Sequence, residues 1–268
     1  MLASHSHRHL GGATRTYRRS PAVLLCRLGS LLALALSVYA CAAPNRDALR
    51  HIVQDQCAAH WLQQHDARPC ERVYLPDALR EREGYAVLHD IKGGAHFLLI
   101  PTRTIAGMES TELLETGTPN YFAAAWQARD LVAGIVGHGI RRGAIGLALN
   151  PRHARSQDQL HIHIECLRAG VAHALQTAAP RIRDTWSPVF VAAWDYEAIR
   201  IMGEELGGID PLELLADKLP AAKSAMGDYT LILAGMDFSE GPGFILLAGK
   251  GPAGELLLDS TCAIAAAT

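Results

Sequence analysis

The sequence predicts an α+β domain in which helices flank an antiparallel sheet, with additional strands and helices toward the C-terminus. Two observations favour this class. Short runs of β-branched or aliphatic residues are separated by turn signals, and stretches rich in helix formers lie between them. The chain has 268 residues, of which 49% are hydrophobic, so it is long enough to build one sizeable core.

Each element follows from a local pattern. Gly93-Gly94 is a hairpin signal between two strand-like runs, and Pro101 ends the second run. Asn120 is a possible helix cap before a run of good helix formers, which the glycines from Gly134 onward interrupt. The expected helices span residues 47–62, 121–136, 169–178 and 211–219. The expected strands span residues 85–88, 96–100, 144–149, 160–166, 230–234 and 244–248.

The first 43 residues form an expected leader, and residues 44–268 an exported catalytic domain. The apolar stretch 21–40 follows Arg15, Arg18 and Arg19, which is typical of an export signal or a single membrane anchor. The stretch 38–41 resembles a bacterial lipobox ending at Cys41, so lipidation, an uncleaved anchor and complete release all stay open. Each alternative predicts a periplasmic domain, at the bacterial inner membrane in the first two cases.

The charge distribution argues against one class of partner. Residues 1–40 hold five of the 25 basic residues and none of the 27 acidic ones, so the remainder carries a net charge of about −7. A surface of this sign repels phosphate backbones. We therefore expect no nucleic-acid partner.

The four cysteines outside the leader agree with export, because an even number suits an oxidising compartment. Four cysteines allow three connectivities, and buried free thiols are the alternative. We expect Cys57–Cys70 to close a local loop and Cys166–Cys262 to tie a central strand to the C-terminus.

The most informative stretch is 159–166, where polar and apolar residues alternate. In a strand this alternation directs Gln159, His161, His163 and Glu165 to one face. Imidazoles near neutral pH act as nucleophiles, proton carriers or metal ligands. A zinc site would need a third ligand, for which His138, His153 and Glu165 are the candidates.

Several segments together carry a resemblance to a known family. The chain resembles the membrane-associated CDP-diacylglycerol pyrophosphatases of the histidine-triad (HIT) superfamily over most of its exported part. The segments that carry it are 96–102, 126–130, 150–152, 155–157, 160–164 and 226–229, together with the four cysteines.

The resemblance implies a HIT-like fold and the hydrolysis of CDP-diacylglycerol at a membrane surface, without a metal or another cofactor. The products would be CMP and phosphatidate, formed through a covalent CMP-histidine on His161. Gln159 stands where the family pattern has its first histidine. The implied catalytic residues are His161, His163 and Gln157, and the implied substrate-binding residues are Asn150, Arg152, Arg155 and Gln159.

Three alternatives to this function stay open at this point. One is a HIT-like hydrolase of another nucleotide diphosphate or CDP-alcohol. A second is a zinc-dependent hydrolase built on His161 and His163, and a third is a non-catalytic module that binds lipids or nucleotides.

Overall fold

A computed structural model of the protein describes residues 45–76 and 84–267. The expected leader, with its apolar stretch, lies outside these residues. Within the described ranges, no helix combines the length and the apolar character needed to cross a membrane.

The strands of the described residues form one ten-stranded antiparallel sheet, which confirms the expected sheet flanked by helices. Its order is β1-β2-β3-β5-β4-β8-β9-β7-β6, and β10 pairs with β5. The strands are β1 (Arg72–Tyr74), β2 (Tyr85–His89), β3 (Phe97–Pro101), β4 (Ile145–Leu149), β5 (Ile162–Leu167), β6 (Ser187–Val191), β7 (Trp194–Met202), β8 (Thr230–Phe238), β9 (Gly241–Gly249) and β10 (Leu258–Asp259).

Helices cover the sheet. The first, α1, begins at Ala48–His51, continues as a π-helical stretch at Ile52–Ala58 and ends with Ala59–Gln64. The others are α2 (Tyr121–Gln127), α3 (Asp130–Val136), α4 (Ala169–Ala178) and α5 (Pro211–Lys218). Every residue of β3, β4 and β5 is buried. Strands β3 and β4 are continuous apolar runs, whereas β5 alternates and buries His163 and Glu165 between its apolar residues.

The hydrophobic residues divide into two clusters. The larger one holds α2, α3, α4 and most of the sheet. The smaller one packs α1 on strands β1, β2 and β3, and it includes Val53, Leu98 and Ile100. The Cys57–Cys70 disulfide lies inside this smaller cluster and joins α1 to the start of β1.

The expected helix 121–136 is two helices. The Asn120 side chain accepts a hydrogen bond from the Ala123 amide at 2.9 Å, which confirms it as the cap. The helix is then interrupted at Ala128 and Arg129. The Arg129 guanidinium donates to the Trp126 carbonyl at 2.6 Å and lies over the Trp126 ring.

Strands β6 and β7 were not expected from the sequence. Their hairpin turn is made by Ala192 and Ala193, with φ of 51° and 69°, where a glycine or asparagine would be the usual signal. Asp195, Glu197 and Arg200 also interrupt the apolar pattern of β7, and none of the three is buried.

Candidate active site

A cavity of about 660 Å³ lies between α1, the β2–β3 hairpin and the segments that end β4 and begin β5. Both faces of this cavity come from sequence-distant parts of the chain. Its polar lining consists of Gln56, His89, Asp90, Lys92, Asn150, Ser156, Gln157, His161, His163 and Glu255. Its apolar lining consists mainly of Leu49, Ile52, Pro69, Leu88, Ile91 and Leu98.

His161 lies directly before β5 and is only 5% exposed. Its Nδ1 is 2.7 Å from the main-chain carbonyl oxygen of Gln159. A carbonyl oxygen only accepts hydrogen bonds, so Nδ1 carries the proton of the neutral ring. The Nε2 atom of His161 therefore keeps a free lone pair.

The side chain of Gln159 has a different position from the one expected for a substrate ligand. It is fully buried, and its Nε2 donates to the carbonyls of Pro101 and Arg103 at 2.9 and 2.7 Å. Among the described residues it does not belong to the cavity lining. The site uses the backbone carbonyl at this position, which any residue supplies.

Asn150 fixes the tautomer of His163. The Asn150 Oδ1 accepts from the Gly254 amide at 2.7 Å, so the amide orientation is determined and Nδ2 faces His163 Nε2 at 3.3 Å. Because Nδ2 donates, His163 Nε2 must accept, and Nδ1 of the neutral ring carries the proton. That Nδ1 lies 2.9 Å from His96 Nε2.

His96 and Glu165 extend this polar group into the sheet. His96 Nε2 is 3.1 Å from Glu165 Oε1, and the His96 and His163 rings stack with centroids 5.1 Å apart. Among the described residues, His96, His163 and Glu165 form the group that could hold a metal, with ligand atoms within 4.8 Å of one another. His161, which was to supply one of the two main ligands of the expected zinc site, does not belong to this group, and neither do His138 and His153.

Burial controls the protonation of these groups. Desolvation lowers the pKa of His161 and of His96, and lowers that of His163 well below its usual range. Desolvation, reinforced by the nearby Glu255, raises the pKa of Glu165 to about 8. At neutral pH the imidazoles are therefore neutral, and His161 needs no deprotonation before it attacks an electrophile.

Comparison with known proteins identifies the family. Residues 44–266 match the family model described as CDP-diacylglycerol pyrophosphatase. A CDP-diacylglycerol pyrophosphatase from Yersinia pestis is 39% identical over 250 residues, which covers 90% of this chain and 93% of that protein. The chain belongs to the CDP-diacylglycerol pyrophosphatase family. It is thus a member of a family of hydrolases, as the sequence motifs indicated.

The structure places some of the expected site residues at the cavity and others away from it. Asn150, Gln157, His161 and His163 meet at the cavity. Gln157 also holds the start of α1, because its Oε1 accepts from the Leu49 amide at 3.1 Å and its Nε2 donates to the Asn45 carbonyl at 3.0 Å.

The two arginines of the loop before β5 are not on the described lining of the cavity. Arg155, with a side chain 7% exposed, is bound by Glu109 at 2.7 Å and by Asp158 at 3.3 Å. Arg152 lies at the surface, 3.4 Å from Asp228. Both guanidinium groups are paired with carboxylates of this chain.

The cation of the described cavity lining is Lys92, in the β2–β3 turn, which the sequence did not single out. Its Nζ lies 3.3 Å from Glu255 Oε2. His96, Glu165 and Glu255 were likewise absent from the expected catalytic set. His96 is the first residue of the segment 96–102, which carried the family resemblance. This position in the resemblance was the signal in the sequence that could have identified His96.

Both expected disulfides of the family member are present. Cys57 pairs with Cys70, and Cys166 pairs with Cys262. The second bond attaches β5, three residues after His163, to the C-terminal segment. It thereby braces the strand that carries the imidazoles.

Proposed function

We propose that the protein hydrolyses CDP-diacylglycerol to CMP and phosphatidate, with His161 as a nucleophile that forms a covalent CMP-histidine. The observation that carries this proposal is the contact between His161 Nδ1 and the Gln159 carbonyl at 2.7 Å. It leaves the His161 Nε2 lone pair available beside a cavity, on a ring whose pKa is lowered by burial.

The reaction proceeds in two displacements. The Nε2 of His161 attacks the phosphorus on the cytidine side, the bond to the bridging oxygen breaks, and phosphatidate leaves with that electron pair. The ring then carries a phosphoryl group on Nε2 and a proton on Nδ1, so it is positively charged. The Gln159 carbonyl stabilises this charge through the existing hydrogen bond.

Water completes the cycle. It attacks the same phosphorus, and the P–N bond breaks with its electron pair returning to Nε2 of His161. The water oxygen becomes a phosphate oxygen of CMP and a proton is released to solvent, so His161 is again a neutral imidazole. Lys92 offsets the negative charge of the two phosphates, and the amides of Asn150 and Gln157 donate to phosphate oxygens. An amide nitrogen has two N–H groups, so Gln157 keeps one for the substrate while the other holds Asn45.

The proposal includes the wider expectations for the chain. The fold is HIT-like, with the histidine-bearing β5 at the centre of the sheet. The leader anchors the catalytic domain on the periplasmic side of the inner membrane, and the substrate is reached at the membrane surface.

The intermediate gives a direct test. Enzyme is mixed with CDP-diacylglycerol labelled in the phosphate next to cytidine, quenched in base and separated under denaturing conditions. We expect protein-bound label that is released by acid, together with its loss and a fall in CMP release of at least about 1,000-fold in His161→Ala. His153→Ala, at an exposed histidine of the preceding loop, is the matched control and should retain the label. Label that persists in His161→Ala would contradict the assignment.

A zinc-dependent hydrolase is the second candidate, because His96, His163 and Glu165 converge. The hydrogen bond from the Asn150 amide argues against a zinc site. It leaves the proton of His163 on Nδ1, the nitrogen that faces His96 and would have to bind the ion. Metal analysis of the purified protein, with CMP release measured in chelator, separates the two candidates. Stoichiometric zinc and loss of activity in chelator would favour this second function.

A further inference from the structure

The cavity has an apolar region that the proposed chemistry does not use. Strand register places Leu88 opposite Leu98, and Leu98 opposite His163, so these side chains form one row on the same face of the sheet. The surface therefore changes from imidazole to hydrocarbon within one strand spacing of His163, in the direction of β2, and the His163 ring lies 5.1 Å from the ring of His161.

Helix α1 forms the opposite side of this region. Leu49 and Ile52 pack partly on the smaller hydrophobic cluster and also line the cavity beside Leu88 and Leu98. Pro69, which precedes the Cys57–Cys70 disulfide partner, completes this surface. These side chains offer hydrocarbon and no hydrogen-bonding group, whereas recognition of a nucleobase requires donors and acceptors.

The mouth of the cavity is also apolar. Ile91, at the tip of the β2–β3 hairpin, is 100% exposed and lines the cavity next to Lys92. A fully exposed isoleucine has no partner in the described fold, and here it lies beside the cation that faces the phosphates. An apolar group joined to a phosphate would contact both residues at once.

We propose that this apolar region is the subsite for the diacylglycerol part of the substrate, with Leu49, Ile52, Leu88 and Leu98 contacting the glycerol and the first acyl carbons. This inference rests on the proposed function. A cavity of about 660 Å³ is of the size that encloses a drug-sized ligand. Two long acyl chains exceed it, so they leave past Ile91 toward the lipid phase.

The subsite makes the enzyme selective for acylated substrates. Each methylene removed from water contributes about fourfold to binding. Ile52→Ala removes three carbons from a side chain that is partly buried against the smaller hydrophobic cluster, so we expect selectivity to fall about tenfold. Ile91→Ser removes contacts at the mouth alone, and we expect about threefold there.

The test compares CDP-diacylglycerol in detergent micelles with CDP-glycerol, which shares the nucleotide and both phosphates and lacks the acyl chains. The ratio of kcat/KM for the two substrates should fall about tenfold in Ile52→Ala and about threefold in Ile91→Ser. Ile135→Ser is the control, because Ile135 is a half-exposed residue of α3 outside the described cavity lining, and its ratio should match wild type.

Product inhibition gives a second readout that does not depend on turnover of CDP-glycerol. Dihexanoyl phosphatidate should inhibit Ile52→Ala about tenfold more weakly than wild type, with inhibition by CMP changed less than twofold. Equal losses for both products, or an unchanged substrate ratio in both variants, would overturn the subsite. Wild-type enzyme that releases no CMP from CDP-diacylglycerol would instead reject the proposed function itself.

Discussion

Replacing Asn150 with aspartate tests how the site sets the tautomer of His163. The substitution keeps the oxygen that accepts from the Gly254 amide at 2.7 Å. It replaces the Nδ2 donor, 3.3 Å from His163 Nε2, with an oxygen of a carboxylate, which in its ionised form only accepts. The proton of His163 is then expected to move from Nδ1 to Nε2, and the contact with His96 at 2.9 Å must reverse its direction.

The size of the effect follows from the hydrogen bonds involved. An unmatched pair of buried acceptors costs about 1–3 kcal/mol, which the ring avoids by changing tautomer. The active site requires the original tautomer, so the variant must spend the same energy of about 1–3 kcal/mol to return to it. This energy corresponds to a loss of about 5- to 150-fold in kcat/KM. The added negative charge beside the phosphates works in the same direction, so we expect about 100-fold.

The assay is nitrogen NMR of protein labelled in its histidine rings, together with CMP release from CDP-diacylglycerol. Wild-type His163 should show a protonated Nδ1, and Asn150→Asp a protonated Nε2. Asn120→Asp is the matched control, because Asn120 caps α2 outside the described cavity lining and aspartate caps equally well. A wild-type His163 that already carries its proton on Nε2 would refute the reasoning.

Two further changes probe neighbouring positions. Gln159→His should keep CMP release within about threefold, because the main-chain carbonyl that holds His161 is retained. The substitution should also lower the free energy of unfolding by about 1 kcal/mol, since one of the two hydrogen bonds that Gln159 donates is lost. A loss of about 100-fold in CMP release would count against the role of the Gln159 carbonyl. Glu165→Gln tests the pH dependence of stability. The pKa of the Glu165 carboxyl is about 8 in the folded protein and about 4.3 in the unfolded chain, so as the pH rises this carboxyl ionises in the unfolded state first. The wild-type free energy of unfolding should thus decrease between these pH values by up to about 1.4 kcal/mol per unit, and Gln removes this decrease. Thermal unfolding of both proteins from pH 5 to pH 8 measures it, and parallel Tm profiles would contradict the assignment.

Local patterns in the sequence account for the parts of the fold that depend on neighbouring residues. Alternation in 159–166 predicted the strand that holds His163, although this strand begins at Ile162, directly after His161, and Asn120 marked the start of α2. The hairpin at Gly93-Gly94 joins β2 and β3 as expected. These features depend on periodicity and on backbone preferences, which are properties of a few consecutive residues.

The tertiary structure alone decided which side chains meet. His96 reaches His163 across 67 residues of sequence because the register of β3 on β5 brings them together. Asn150 accepts from the Gly254 amide across 104 residues because the turn at Gly254–Leu257 packs against the end of β4. Arg155, adjacent in sequence to the site, is paired with Glu109 instead, since a nearly buried charge requires a partner. The sequence by itself therefore determined the nucleophile candidate and its strand. Its tautomer, its cation and its apolar subsite depend on contacts between distant segments, which no local pattern encodes.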